Sequence, residues 1–306
     1  MTKREGEAGG SGRALRSDRI SDRILVAGLT VAAALAGGIT LLIGVDLLVE
    51  SLPALRRIGW LRFVSDGAWH PLQERYDLVP MLAGTVAVTL GAVLLATPLA
   101  VASAIFGRFY VGGFVARLHR RMIETLAGIP SVVFGLWGLM VLVPQIAAIG
   151  PPGQSLLAGI LVLGLMILPT IALMSDAALG AVPEEHLRAA AGAGLSRWAI
   201  VRWIALPTAR AGIATGVLLG TGRALGETMA VLMVTGNVVQ LPTGLLEPVR
   251  TLTANIALEM AYAAELHRSA LFVSGLVLAL LMVGLVASVD RITSSTSHDT
   301  GDARAY

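Results

Sequence analysis

Six long stretches of this chain carry no charged residue: 24–45, 78–107, 125–175, 211–222, 228–246 and 269–289. A helix that crosses a hydrocarbon core of about 30 Å needs about 20 consecutive apolar residues. The 51 residues of 125–175 are too many for one crossing. The turn-forming cluster Gly150-Pro151-Pro152-Gly153 divides them. The two runs at 211–222 and 228–246 join into a single helix interrupted by two charges. The pattern therefore predicts an all-α integral membrane protein with one transmembrane domain over 24–290. Its six spans fall at about 24–49, 81–107, 122–144, 155–175, 209–236 and 268–290. Residues 1–23 read as a flexible, basic, Gly/Ser-containing tail and 291–306 as a second polar tail. Ala34-Leu35-Ala36 resembles a signal-peptidase site, but the apolar run continues to Val45, so an uncleaved anchor is expected.

The interruption is Gly222-Arg223-Ala224-Leu225-Gly226-Glu227. A central arginine costs about 2.5–3.5 kcal/mol on insertion scales, so intramembrane charges are kept for a partner, a water-filled path or a function. On one continuous helix, Arg223 and Glu227 stand at i and i+4 and can meet. Arg before Glu is the weaker order for such a pair, so helix stabilisation is a thin reason for it. Two readings follow: a neutralised packing pair, or an ion pair in or beside a transport pathway.

Composition narrows the field. Hydrophobic residues make up 55% of the chain and charged residues 14%, well below the roughly 25% of soluble domains. There is no cysteine, hence no disulfide or thiolate metal site. No cofactor or metal site is expected. The pI near 9.8 comes from arginines spread over membrane-flanking loops, which speaks for topology rather than nucleic acid. With the N-terminus inside, sixteen basic residues lie on inner segments and six on outer ones. That asymmetry predicts both termini in the cytoplasm, although the four arginines of the outer loop 50–80 oppose it. Trp60, Trp69, Trp198 and Trp203 read as interface anchors.

The loop 182–207 is the second informative segment. Glu184 and Glu185 follow Pro183, as the first turn of a helix prefers. Gly194 and Ser196 mark a break, and Trp198 to Trp203 begins a second amphipathic turn. Ala189, Ala190 and Ala191 would let a partner surface approach closely. An interfacial amphipathic hairpin is the simpler reading.

This loop resembles the EAA motif of ABC importer permeases, Glu-Ala-Ala, three residues, Gly, nine residues, Ile-x-Leu-Pro. Ala189, Ala190, Gly194, Ile204, Leu206 and Pro207 stand at the matching positions, while Arg188 replaces the motif glutamate. Glu184 or Glu185 is the candidate to compensate. Gly222-Arg223-Ala224-Leu225-Gly226-Glu227-Thr228-Met229-Ala230-Val231 is similar to the signature of phosphate permease subunits of PstC type. Phe63-Val64-Ser65-Asp66-Gly67-Ala68-Trp69-His70-Pro71 and Gly128-Ile129-Pro130-Ser131-Val132-Val133-Phe134-Gly135 resemble further segments of that family. The resemblance implies a type I ABC importer permease fold in a bacterial cell membrane. It also implies a PstA-like second permease, PstB-like ATP-binding subunits, a PstS-like phosphate-binding protein and inorganic phosphate as substrate. Arg223 and Glu227 would lie on the transport pathway. Glu184, Glu185, Arg188, Ala189, Ala190 and Gly194 would belong to the loop coupled to the ATPase.

Lys3 is the only lysine and no Gly-rich run precedes it, so the chain has no P-loop of its own. Three rivals were weighed. A permease for sulfate or molybdate fits the same physics. An ion-coupled secondary transporter explains the Arg/Glu pair but not the spacing of the loop motif. A membrane-embedded enzyme lacks support: no His-Glu-x-x-His occurs, and Ser131, Ser175 and Ser274 have no evident base.

Overall fold

The computed structural model describes the backbone over residues 8–298 and side chains over 25–288. Its helices are α1 (Ala8–Arg57), α2 (Arg62–Ser65), α3 (Val79–Ile105), α4 (Gly113–Gly128), α5 (Ser131–Trp137), α6 (Val143–Ala147) and α7 (Leu156–Gly180). They continue as α8 (Glu184–Gly192), α9 (Arg197–Ile200), α10 (Leu206–Leu225), α11 (Met229–Val234), α12 (Leu252–Glu259) and α13 (Glu265–His298). A two-residue antiparallel hairpin, β1 (Trp69–His70) with β2 (Arg75–Tyr76), pairs Trp69 with Tyr76. Among the described residues, five helical stretches are long and apolar enough to cross a membrane: Leu25–Arg57, Val79–Tyr110, Leu156–Gly180, Arg197–Leu225 and Glu265–Ser288.

Three sequence expectations change. The predicted third span, 122–144, is a bent pair: Gly113–Gly128 and Ser131–Ala147 meet at 93°. Pro130 is the cause. It drives Ile129 to ψ 130°, out of the helical region, so α4 stops there. The predicted fifth span, 209–236, is not one helix, because α10 ends at Leu225 and α11 begins at Met229. The predicted flexible tail 1–23 is helical from Ala8, as part of α1, and residues 1–7 lie outside the described ones.

The core is built on close helix contacts. Val88, Ala92, Ala96 and Ala100 of α3 pack against Val162, Leu163, Met166 and Ile167 of α7. On the other flank of α7, α10 presents glycines one turn apart. A Cβ added at Gly216 would meet Met174 Cβ at 2.8 Å, and one at Gly220 would meet Ile171 Cγ1 at 2.7 Å. Small residues thus bring the two helix backbones together, as membrane interfaces require when no hydrophobic effect drives association. The helix α1 lies along α13, and its apolar side chains from Leu25 to Val49 are largely exposed.

Two π-helical turns precede prolines, Gly138–Leu142 before Pro144 and Val201–Ala205 before Pro207. Proline has no N–H to return to the carbonyl four residues back, and a widened turn accommodates the missing bond. A second cluster, with Phe63, Trp69, Tyr76, Met81, Leu252 and Leu271, closes the end of the molecule where α3 begins. The loop 182–205 packs at the other end, where Val182 and Ala205 bury against Ala104 and Leu179.

Candidate functional site

Arg223 stands in the last turn of α10, half-buried, beside the break. A cation there complements the partial negative charge of the helix C-terminus. Its Nη1 donates to Thr170 Oγ1 of α7 at 3.3 Å. Glu227 lies in the break itself. Its Oε1 accepts the Ala230 N–H at 3.0 Å, so the carboxylate caps α11, whose N-cap residue Thr228 supplies no side-chain bond. The Glu227 backbone carbonyl accepts the Thr253 hydroxyl at 2.8 Å.

Arg223 and Glu227 therefore form no ion pair with each other, contrary to the expected meeting on one helix face. The reason is local. With α10 ending at Leu225, the fixed i, i+4 geometry does not extend to Glu227. Among the described residues, the Arg223 guanidinium has no carboxylate partner within salt-bridge range.

Hydroxyls gather around the break. Thr85, Thr89, Thr251 and Thr253 line a tight crevice together with Glu227, with no room in it for a water molecule. Thr85 Oγ1 accepts the Leu252 N–H at 2.9 Å, which ties α3 to the start of α12. Thr251 and Thr253 hydroxyls are 3.1 Å apart. Irregular backbone at membrane depth is tolerated where protein groups satisfy it or where it lines a cavity. Here the Glu227 carboxylate and the Thr253 hydroxyl do that work. The result is a discontinuous helix with one cation, one carboxylate and several hydroxyls about its break.

A denser polar cluster sits toward the end where α3 begins, and sequence reasoning missed it. Arg250 Nη1 donates to Glu259 Oε1 at 2.7 Å and to Asn255 Oδ1 at 3.0 Å. Arg250 Nε donates to the Asn237 carbonyl at 2.8 Å. Glu259 Oε2 accepts Trp69 Nε1 at 2.8 Å and lies 2.9 Å from His267 Nε2. In the sequence, Arg250 is only one of the six basic residues of the outer segments. Trp69 is a correction: it is buried at 5% exposure and bonded to Glu259, whereas Trp60, Trp198 and Trp203 are exposed. The available signal was Asn255 and Glu259 spaced i, i+4 in the otherwise apolar Leu252–Glu259 segment.

In the 182–207 loop, α8 carries Glu184 and Glu185 in its first turn. Glu184 and Arg188 form an exposed i, i+4 ion pair, so the arginine at the motif-glutamate position is held by a glutamate of its own helix. Gly194 adopts φ +84°, which reverses the chain after α8. Ser196 Oγ then accepts the Ala199 N–H at 3.3 Å and caps α9. Ala190 faces inward and is buried, so it does not offer the close approach expected of it; Ala189 and Ala191 are exposed.

Comparison with known proteins agrees with this architecture. The family described as "Binding-protein-dependent transport system inner membrane component" matches residues 96–296. A probable ABC transporter permease protein, YqgH, of Bacillus subtilis (strain 168) is 36% identical over 287 residues, 91% of each chain. The phosphate transport system permease protein PstC of Mesorhizobium japonicum is 34% identical over 258 residues, 77% of this chain and 79% of the relative. Among solved structures, the inward-facing MetNI methionine ABC transporter superposes with TM-score 0.59 at 20% identity, over 74% of this chain and 99% of that one. A bacterial ABC transporter for the acidic polysaccharide alginate superposes with TM-score 0.62 at 15% identity, over 92% and 99% of the two chains. The chain belongs to the family of binding-protein-dependent transport system inner membrane components, and is a membrane-spanning ABC importer permease subunit of type I fold.

Proposed function

We propose that this permease subunit carries inorganic phosphate, as a PstC-type half of an importer pore completed by a PstA-like subunit. The observation that carries the reading is Arg223: an arginine with no carboxylate partner among the described residues, at a helix break and inside a ten-residue run similar to the phosphate permease signature. A guanidinium offers a planar fork of donors that matches an oxyanion. Its weak neutral partner, Thr170 Oγ1 at 3.3 Å, leaves most of those donors for a passing anion. Glu227 caps α11 nearby, and its negative charge limits how tightly an anion is held, so release stays possible. PstC relatives support phosphate over other oxyanions.

The remaining parts of the reading rest on the resemblance to PstC-type permeases and on the charge asymmetry of the loops. ATP hydrolysis falls to separate PstB-like subunits that dock on the loop 184–206, and a PstS-like binding protein delivers phosphate from the other side. Both termini face the cytoplasm. ATP-driven movement of the loop rocks the spans and alternates access to the break. Labelled-phosphate uptake in cells lacking other phosphate importers, with excess sulfate or molybdate as competitor, tests the substrate. Uptake unaffected by either competitor supports phosphate; uptake of sulfate or molybdate in preference would replace it.

A further inference from the structure

At the end of the molecule that holds the 182–205 loop, α3, α4 and α7 border a half-open cavity of ≈ 410 Å³. Its polar lining is Ser103, Arg108, Arg117, His119, Arg120 and Asp176. Three guanidiniums thus converge with one carboxylate. The carboxylate is shared: Asp176 Oδ2 lies 3.2 Å from Arg120 Nη1, and its Oδ1 lies 3.8 Å from Arg108 Nη1. Arg120 also pairs with Glu124 through Nε at 2.9 Å. Arg117 has no carboxylate partner among the described residues and only a 3.4 Å bond from Nε to the Gly113 carbonyl. Positive charge is left over at the mouth of a half-open cavity, where Arg117 is exposed and the Arg108 and Arg120 side chains are 39% and 61% exposed.

The cavity is also built to hold these groups. The Arg108 guanidinium lies against Gly180 of α7, where an added Cβ would come within 2.8 Å of Nη2. Any other residue there would displace it. His119 Nε2 is 3.0 Å from Ser103 Oγ, so a hydroxyl and an imidazole lie beside the arginines.

We propose that this cavity is a binding site for a phosphate-bearing anion, separate from the break at Arg223. Fork-shaped guanidiniums recognise phosphate oxygens through paired charge-assisted bonds, and a phosphate competes well with the single shared Asp176. Two sources supply that chemistry: free inorganic phosphate, or the headgroup of an anionic lipid reaching past the exposed Phe114, Leu118 and Met122 of α4. Arg108 also lines a groove shared with Leu187, Arg197 and Ile200 of the 182–205 loop. Arg108 therefore stands between the cavity and the loop. The site does not rest on the transport reading.

The test uses the full chain, which lacks cysteine. Ala116→Cys places a single thiol on the cavity wall, and its rate of reaction with uncharged N-ethylmaleimide reports occupancy. One arm adds inorganic phosphate in maltoside micelles against chloride of equal ionic strength. The other compares phosphatidylglycerol nanodiscs with nanodiscs of a phosphate-free galactolipid. Slowing of about tenfold is expected when a ligand is present at ten times its dissociation constant. Slowing by phosphate alone identifies the free anion, and slowing by phosphatidylglycerol alone identifies the headgroup. Arg117→Gln, at an exposed position that leaves the ion pairs intact, should weaken the protection, whereas Arg223→Gln should leave it unchanged. No protection in either arm, protection indifferent to Arg117→Gln, or protection lost in Arg223→Gln would each overturn the site.

Discussion

Replacing Glu259 by alanine should destabilise the chain more than any change at an exposed charge. The Glu259 carboxylate, 9% exposed, takes Arg250 at 2.7 Å, Trp69 at 2.8 Å and His267 at 2.9 Å. Its removal strands the Arg250 guanidinium, itself 18% exposed, and leaves the Trp69 indole N–H unpaired. Breaking a buried ion pair from one side costs about 3–5 kcal/mol, because the surviving charge is uncompensated. At about 2–4 °C per kcal/mol for domains of 150–250 residues, the melting temperature should fall by on the order of 10 °C. A thermal scan of the purified chain in maltoside, followed by tryptophan fluorescence, measures this. The double variant Arg250→Met, Glu259→Leu should recover most of the loss, since no ion is left buried. A fall of less than about 2 °C in the single variant, or a double variant no better than the single, would refute the reasoning.

Three further outcomes follow. Ala191→Trp on the exposed face of α8 should release the ATP-binding subunits on purification or uncouple hydrolysis from uptake; unchanged uptake with an intact complex would remove this face as the docking surface. In the hairpin region, burial raises the Asp66 carboxyl pKa, but bonds from Arg62 and the Tyr76 N–H, with the charges of Arg62 and Arg75, outweigh it and hold it below the ordinary value. A folded pKa below the unfolded one gives stability that is present above about pH 4 and is lost as pH falls through the folded pKa. Asp66→Asn should therefore flatten that acid-side slope, and an unaltered slope in thermal scans would count against it. For topology, cysteines introduced at Gly67 and Ser196 should be labelled from outside and inside the cell respectively, and the opposite pattern would invert the chain.

Most of the architecture was legible because charge-free runs of about 20 residues have few alternatives to a crossing helix. The interruptions were harder to read. Pro130 announces a possible break, but proline is common in membrane helices, so a 93° bend is not written in it. The end of α10 at Leu225 rests on tertiary bonds: the Glu227 carboxylate on Ala230 and the Thr253 hydroxyl on the Glu227 carbonyl. Thr253 lies 26 residues away, beyond any local pattern. Arg223 and Glu227 stood out as residues, while their separation did not. The partners of Glu259 were out of reach for the same reason, since Trp69 is 190 residues distant in the chain.

On the function proposed above, Arg223 and Glu227 serve transport rather than packing. The most direct test is labelled-phosphate uptake by Arg223→Gln, Glu227→Gln and the double variant, normalised to inserted and assembled protein. Buried ions kept only for packing can often be replaced by neutral groups of similar volume at little cost. All three variants should insert and assemble but fail to support uptake. Arg223→Lys should also be impaired, because lysine lacks the planar fork. A double variant that transports phosphate at the wild-type rate would contradict the account.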